Sequence, residues 1–290
     1  MSGGPRQVSP GSPEWPERLS HLDHPPQELW VRGPVLPGAR SVAVVGSRRA
    51  TPAGLSIARE LGGLLGEAGV NVISGLARGV DGAAHLGALD AGGPTTAVLG
   101  CGIDVCYPRQ HAPLSERIAG SGCILTEEPP GTQPFKANFP KRNRIIAALV
   151  AAVVVVEGTE RSGALSTARW AADLGREVLA VPGSIRSPQS RGTNLLIRDG
   201  ARPYLGPEDL VQAVPGLAAT GAGPAGGPSL AGLRRPLLEI LERMGPTPVY
   251  PDELGQALAL PAPLVAARLG ELEVAGAVLS LPGGLVARTF

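Results

Sequence analysis

The chain has 290 residues, and its 26 Lys and Arg against 25 Asp and Glu leave a formal net charge of +1. That length suffices for one α/β-sized core and a small second domain, and 43% hydrophobic with only 3% aromatic residues means a core of Ala, Val, Leu and Ile. The balance excludes a globally basic protein, so any surface for a polyanion has to be local. The apolar run Ile145 to Val156, at about 12 residues, falls short of the roughly 20 that a membrane-spanning helix needs. With no charged-then-apolar leader, a cytosolic protein without membrane attachment is expected. Cys101, Cys106 and Cys123 are odd in number and lack a C-x-x-C knuckle, which points to reduced thiols and to no metal site.

In chain order, residues 1–13 (MSGGPRQVSPGSP) read as a flexible lead-in, and the segment up to residue 40 as a flank to the first strand. Buried strands follow at VAVVG (42–46), VNVIS (70–74), TTAVLG (95–100), CILTE (123–127), AVVVVEG (152–158) and EVLAVPG (177–183). Helical patterns lie between them at 54–68, 82–91, 113–119, 142–149 and 163–174. Parallel neighbours need crossover connections, so alternating strands and helices predict an α/β, extended Rossmann-like, doubly wound and mostly parallel sheet over residues 41–214. Residues 215–228 read as a Gly/Pro/Ala linker. Beyond it, 229–290 gives helix (LRRPLLEILERM), helix (PDELGQAL), helix (PAPLVAARLGELEVAG) and a terminal hairpin, the order of a winged helix. This segment holds five Arg against six Asp and Glu, and only Arg268 falls on its third helix, so contact with protein is expected there more than strong duplex binding.

Open parallel sheets bind ligands beyond the carboxyl ends of their strands. The segments there are GSRRATPAG, SGLARGVDGAAH, GCGIDVCYP and EGTERSGALSTA. Glycine and hydroxyl residues at such turns let backbone N–H groups approach phosphate, with the next helix dipole favouring the anion. The G-x-G-x-x-G fingerprint, a ribose-binding acid after the second strand and the G-x-x-x-x-G-K-[ST] loop are all missing, which disfavours a dinucleotide reductase and a P-loop ATPase. The local basic surface is FPKRNRIIAALV, where Lys136, Lys141, Arg142 and Arg144 cluster within an acid-free stretch from Pro129 to Val156. Phe135 and Phe139 flank Lys136; cations that track phosphates beside flat rings on which bases stack are what a single strand requires. Ser162 is positioned to cap the fifth helix, so Ser162, Gly163 and Thr167 add a helix start that suits phosphate. Asp81 is expected to cap its helix and His85 to meet a buried partner, while Tyr107-Pro108 reads as a turn. Glu127, Glu128 and Glu157 are carboxylates at strand ends; paired in a crevice they could serve hydrolysis, but beside phosphate they repel it unless a metal intervenes.

The ordered series VAVVGSR, SGLARGVDGAAH, TTAVLGCGIDVCYP, FPKRNRIIAAL, VVVEGTERSGALSTA, AVPGSI and GTNLLIRDGA resembles the DprA family, the DNA-processing proteins of natural transformation, from about Trp15 to Leu210. The resemblance implies an extended Rossmann-like domain with no known catalytic reaction and no cofactor. It also implies an activity: binding single-stranded DNA, shielding it from nucleases and loading RecA recombinase on it, with a homodimer as the active form. Carried onto this chain, it implies that Gly46, Ser47 and Arg48 of GSR and Phe139, Lys141, Arg142, Asn143 and Arg144 of FPKRNR line the DNA groove, beside the Lys136 and Ser162-Gly163-Thr167 positions read above. Many relatives carry a helical module before the segment EWPERLSHLDHPPQELWVRGPV, and here only about 13 residues precede it. Two other readings stay open. One is a nucleotide hydrolase of the lysine-decarboxylase-like group, whose PGGxGT-x-x-E loop EGTERSGALSTA matches without the double glycine. The other is a duplex-reading winged-helix regulator.

Overall fold

A computed structural model describes residues 4–34, 36–38, 40–214, 217, 234–245, 248–274, 277–281 and 284–288. Two compact units divide the chain, Met1–Gly221 and Ala222–Phe290. The expected linker, 215–228, lies outside the described residues apart from Leu217.

In the first unit the elements run β1 (Arg6–Val8), β2 (Leu29–Arg32), β3 (Ser41–Val45), α1 (Pro52–Glu67), β4 (Asn71–Ser74), α2 (Val80–Asp90), β5 (Thr95–Val98), α3 (Ala112–Ser121), β6 (Cys123–Thr126), α4 (Asn138–Leu149), β7 (Ala152–Val155), α5 (Gly163–Asp173), β8 (Glu177–Ala180), α6 (Arg191–Arg198), β9 (Arg202–Pro203) and α7 (Pro207–Ala213). One nine-stranded sheet orders them β1-β2-β6-β5-β4-β3-β7-β8-β9. The six expected strands are all present and mutually parallel. Two antiparallel strands extend one edge, with Gln7 opposite Trp30 and Val31 opposite Leu125. Residues 6–8 are therefore a strand and not part of a flexible lead-in: Val8, Leu19 and Leu22 bury their side chains in the core under α4 and α5.

The strand sequences are apolar on both faces because helices cover both. On one face, Ile145, Ile146 and Leu149 of α4 pack with Ala164, Ala168 and Ala171 of α5. On the other, Ala58, Leu61 and Leu65 of α1 pack with Ala84 and Ala88 of α2. These last two helices approach too closely for side chains at two places: a Cβ on Gly62 would sit 2.1 Å from the Ala84 carbonyl oxygen, and one on Gly87 1.9 Å from that of Arg59. The polar threonines of β5 are satisfied within the sheet, Thr95 donating to the Val72 carbonyl at 2.7 Å and Thr96 exchanging hydrogen bonds with the Asn71 amide.

The chain steps outward from β3 through β4 and β5 to β6, then returns to place β7 on the other side of β3, with Val42 opposite Ala152 and Val45 opposite Val155. The loops after β3 and β7 diverge to opposite faces, so a crevice opens between them. In a doubly wound sheet this is where a ligand sits.

The second unit comprises α8 (Arg235–Arg243), α9 (Pro251–Leu258), α10 (Ala262–Val274) and the hairpin β10 (Val278–Ser280) with β11 (Val286–Arg288). Leu237, Ile240 and Leu241 of α8 meet Leu254, Val265, Leu269, Val278 and Val286 in its core. Three helices closed by a two-stranded wing are the winged-helix arrangement read from the sequence.

Candidate nucleic-acid interface

The crevice at the β3/β7 switch point is a groove of about 980 Å³, lined among others by Gly46, Ser47, Arg48, Lys136, Phe139, Arg142, Asn143, Ser162, Gly163 and Thr167. Residues separated by more than a hundred positions in sequence meet there because parallel strands deliver all their carboxyl ends to one edge. Two of the twelve residues expected at this site, Lys141 and Arg144, are not among its lining.

The GSR turn is fixed from three sides. The Ser47 hydroxyl donates to Gln189 Oε1 at 3.0 Å and accepts from the Arg49 amide at 3.1 Å. A Cβ on Gly46 would lie 2.6 Å from a Val80 methyl, so the turn can press against the start of α2 only as glycine. Arg48 and Arg49 are left exposed at the groove wall. The Arg48 guanidinium lies 5.2 Å from the centre of the Phe139 ring, a cation-π distance, and the Tyr107 ring centre is 5.5 Å from that of Phe139 at a 40° tilt. On the far wall Ser162 caps α5, accepting from the Ala164 amide at 3.3 Å, and Asn143 donates to the Gly163 carbonyl at 3.1 Å, which ties α4 to the start of α5.

Helix α4 begins at Asn138, about one turn before the expected Arg142, and this changes where its cations point. Lys141 and Arg144, three residues apart and so on one face, turn toward the end of β6. Arg144 pairs with Glu127 at 2.5 Å, and Lys141 lies 3.3 Å from Glu128 and 3.5 Å from Glu127. The carboxylates at the end of β6 are thus partners of the helix cations.

Arg142, a third of a turn away, points inward. Its side chain is buried beneath the groove and donates to the Val98 carbonyl. A Cβ on Gly75 would collide with its guanidinium. Burial pushes its pKa down to about 10, with Asp81 acting in the opposite sense, so it stays charged at neutral pH. Arg142 therefore forms part of the groove floor and is not a surface cation. Asp81 does not cap α2; it accepts from the Gly75 and Ala77 amides at 3.1 and 3.2 Å, and its carboxyl pKa is raised by burial, against which Arg142 works. His85 finds a buried partner in Thr95 at 2.7 Å, as expected.

Arg49, Arg161, Tyr107 and Gln189 also line the groove, beyond the residues expected there. Arg161 lies in the ERSG turn and Arg49 directly after GSR, so their positions after strand ends were the readable signal. Tyr107 lies in the strand-end segment GCGIDVCYP, whereas nothing local marks Gln189. Among the described residues, Arg48, Arg49, Lys136 and Arg161 are exposed groove cations with no carboxylate at ion-pair distance. Phe135, by contrast, is 61% exposed and lies outside the lining.

Glu157 closes off the other anion site that a Rossmann sheet offers. Its carboxylate accepts from the Thr51 amide at 2.9 Å and the Thr51 hydroxyl at 2.5 Å, against the N-terminus of α1. The place where a dinucleotide phosphate would rest on α1 is filled by a side chain of the protein itself. The buried thiols of Cys101 and Cys123 are quiescent as well, since burial raises them to about 11 and about 12.

Residues 6–215 match the family model for DNA recombination-mediator protein A, and residues 224–284 match the DprA winged helix domain. A putative DNA processing protein DprA of Mycobacterium tuberculosis is 41% identical over 296 residues, covering 95% of this chain and 75% of that protein. The X-ray structure of DNA processing protein A from Streptococcus pneumoniae matches with a TM-score of 0.68 at 40% identity, over 72% of this chain and 74% of the other. A solved structure of DNA processing protein A from Helicobacter pylori, reported for its single-stranded DNA binding mode, matches with a TM-score of 0.64 at 29% identity, over 72% of this chain and 94% of the other. A switch-point groove lined by the GSR turn and by Phe139, Arg142 and Asn143 of FPKRNR, in a chain that also carries a winged helix, thus coincides with matches to both domain models, and the chain belongs to the DprA family of DNA-processing, recombination-mediator proteins.

Proposed function

We propose that the groove between β3 and β7 binds single-stranded DNA. The observation that carries this reading is the coincidence of four exposed cations, Arg48, Arg49, Lys136 and Arg161, with a stepped pair of rings, Tyr107 and Phe139, in one groove. The cations follow the phosphates and the rings take bases, a combination that tolerates any sequence because every base has a π face. A duplex has its bases stacked inside and offers none to those rings. The occupied N-terminus of α1 further favours a backbone lying across the groove over a mononucleotide seated on that helix. The strand held in this way is shielded from nucleases and handed to RecA, and the acting species is a homodimer; the family resemblance supports these steps.

The test is equilibrium binding of a labelled, unstructured oligonucleotide, as single strand and as duplex, over a salt series, with the Arg48→Glu and Lys136→Glu variants alongside. The expected result is a single-strand preference with a steep salt slope that both variants flatten. Equal binding of duplex, or unchanged binding by both variants, overturns the placement. RecA filament assembly on strands coated with single-strand-binding protein, with and without this protein, tests the handover, and sedimentation equilibrium tests the dimer.

A further inference from the structure

The basic surface continues past α5 along the same edge of the sheet. Beyond the main groove, and sharing Thr159 and Arg161 with it, lies a second open hollow of about 410 Å³ over the carboxyl end of β8. Its wall adds Arg186 and Arg191 to Arg161, against one carboxylate, Glu160, which pairs with Arg191. Arg186 has no carboxylate at ion-pair distance among the described residues. Between these cations Ile185 stands 91% exposed, a branched apolar side chain presented to water.

The loop holding them is anchored to the main groove. Asn194 of α6 clamps its start, accepting from the Gly183 amide at 3.2 Å and donating to the Gly183 carbonyl at 2.9 Å. Gln189 joins its end to the other two loops: its carbonyl accepts from the Gly158 amide at 2.7 Å, while its side chain accepts from Ser47. The two hollows are therefore held in fixed register.

We infer that the strand-binding track extends across the β8–α6 loop, with Arg186 and Arg191 taking phosphates of the same single strand that fills the main groove and Ile185 packing against a sugar or base between them. This rests on the single-strand reading above. It predicts a site longer than the main groove alone, with phosphates displacing Glu160 from Arg191.

Affinity is measured for a ladder of oligothymidylates of increasing length, for the wild type and for the double variant Arg186→Ala with Arg191→Ala, with thermal unfolding as a check that the variant is folded. The wild type is expected to gain affinity with length beyond the point at which the variant stops gaining. On long strands the variant's salt slope should shrink by about 0.7 per arginine removed. Short oligonucleotides should bind both proteins equally. Identical length dependence in the two proteins overturns the extension and leaves the main groove standing. An equal loss at every length also overturns it, because the arginines would then act through the fold of the main groove. No binding of any length by the wild type removes the single-strand reading itself, and the extension with it. The single variant Ile185→Ala separates the apolar contact from charge, since it should weaken long strands without changing the salt slope.

Discussion

The Arg48 guanidinium stands over the Phe139 ring, 5.2 Å from its centre, although 90 residues of chain separate the two. Arg48 comes from the turn after β3 and Phe139 from the first turn of α4, and a Cβ on Gly100 would already press to 3.1 Å from the Phe139 ring. The ring is held between a bare glycine and a cation, with Tyr107 stepped beside it. A base entering the groove meets a surface already arranged.

Phe139→Ala should weaken single-strand binding by about 1–3 kcal/mol, the usual worth of one stacked base, while Phe139→Trp should retain most of it. Fluorescence anisotropy with an unstructured oligonucleotide decides this. Equal losses in both variants would mean that the ring serves only to pack the loop.

Lys136 and Lys141 are the only lysines of the chain and should behave differently. Lys136 lines the groove, whereas Lys141 lies against Glu127 and Glu128. Lys136→Ala should lower the single-strand salt slope by about 0.7, and Lys141→Ala should leave it nearly unchanged. A larger effect at Lys141 would place the strand on the β6 side of α4.

Arg142 cannot be probed as a surface cation. Its removal leaves Asp81 buried without a countercharge and the Val98 carbonyl without its donor, so Arg142→Ala should cost on the order of 3 kcal/mol in folding stability. Urea denaturation measures it. Arg142→Glu, which faces a second carboxylate toward Asp81, should be worse.

His85 is fully buried, and Thr95 fixes its tautomer. The Thr95 hydroxyl proton goes to the Val72 carbonyl, so Thr95 accepts from Nδ1–H of His85, and Nε2 is left without a partner. Burial, then repulsion from His111 and Arg142, pushes its pKa from 6.5 down to about 3. The unfolded chain therefore binds the extra proton first. The contribution of His85 is fully present above pH 6.5 and declines as the pH falls from there toward 3. Asp81, raised by burial, works in the opposite direction but is common to wild type and variant. Relative to His85→Leu, the wild type should lose about 2 kcal/mol between pH 7 and pH 5; parallel stability curves would show that His85 takes up protons equally in the folded and unfolded chain, and a gain of the wild type toward pH 5 that it is protonated in the native state.

The sequence alone determined the six parallel strands, their covering helices and the winged-helix order, because these follow from local periodicity: buried strands must be apolar on both faces, and the helices between them must present one apolar side. It also determined which turns form the groove, since parallel strands place every carboxyl end on one edge. Tertiary structure decided which side chains on those turns face outward. Starting α4 at Asn138 rotates Lys141 and Arg144 onto Glu127 and Glu128 and drives Arg142 under the floor, a difference of one helical turn that no run of charges reveals. It likewise brought Gln189 to the groove and folded residues 6–8 into the sheet edge. Each of these depends on a partner far away in the chain, and local sequence carries no signal of where that partner will be.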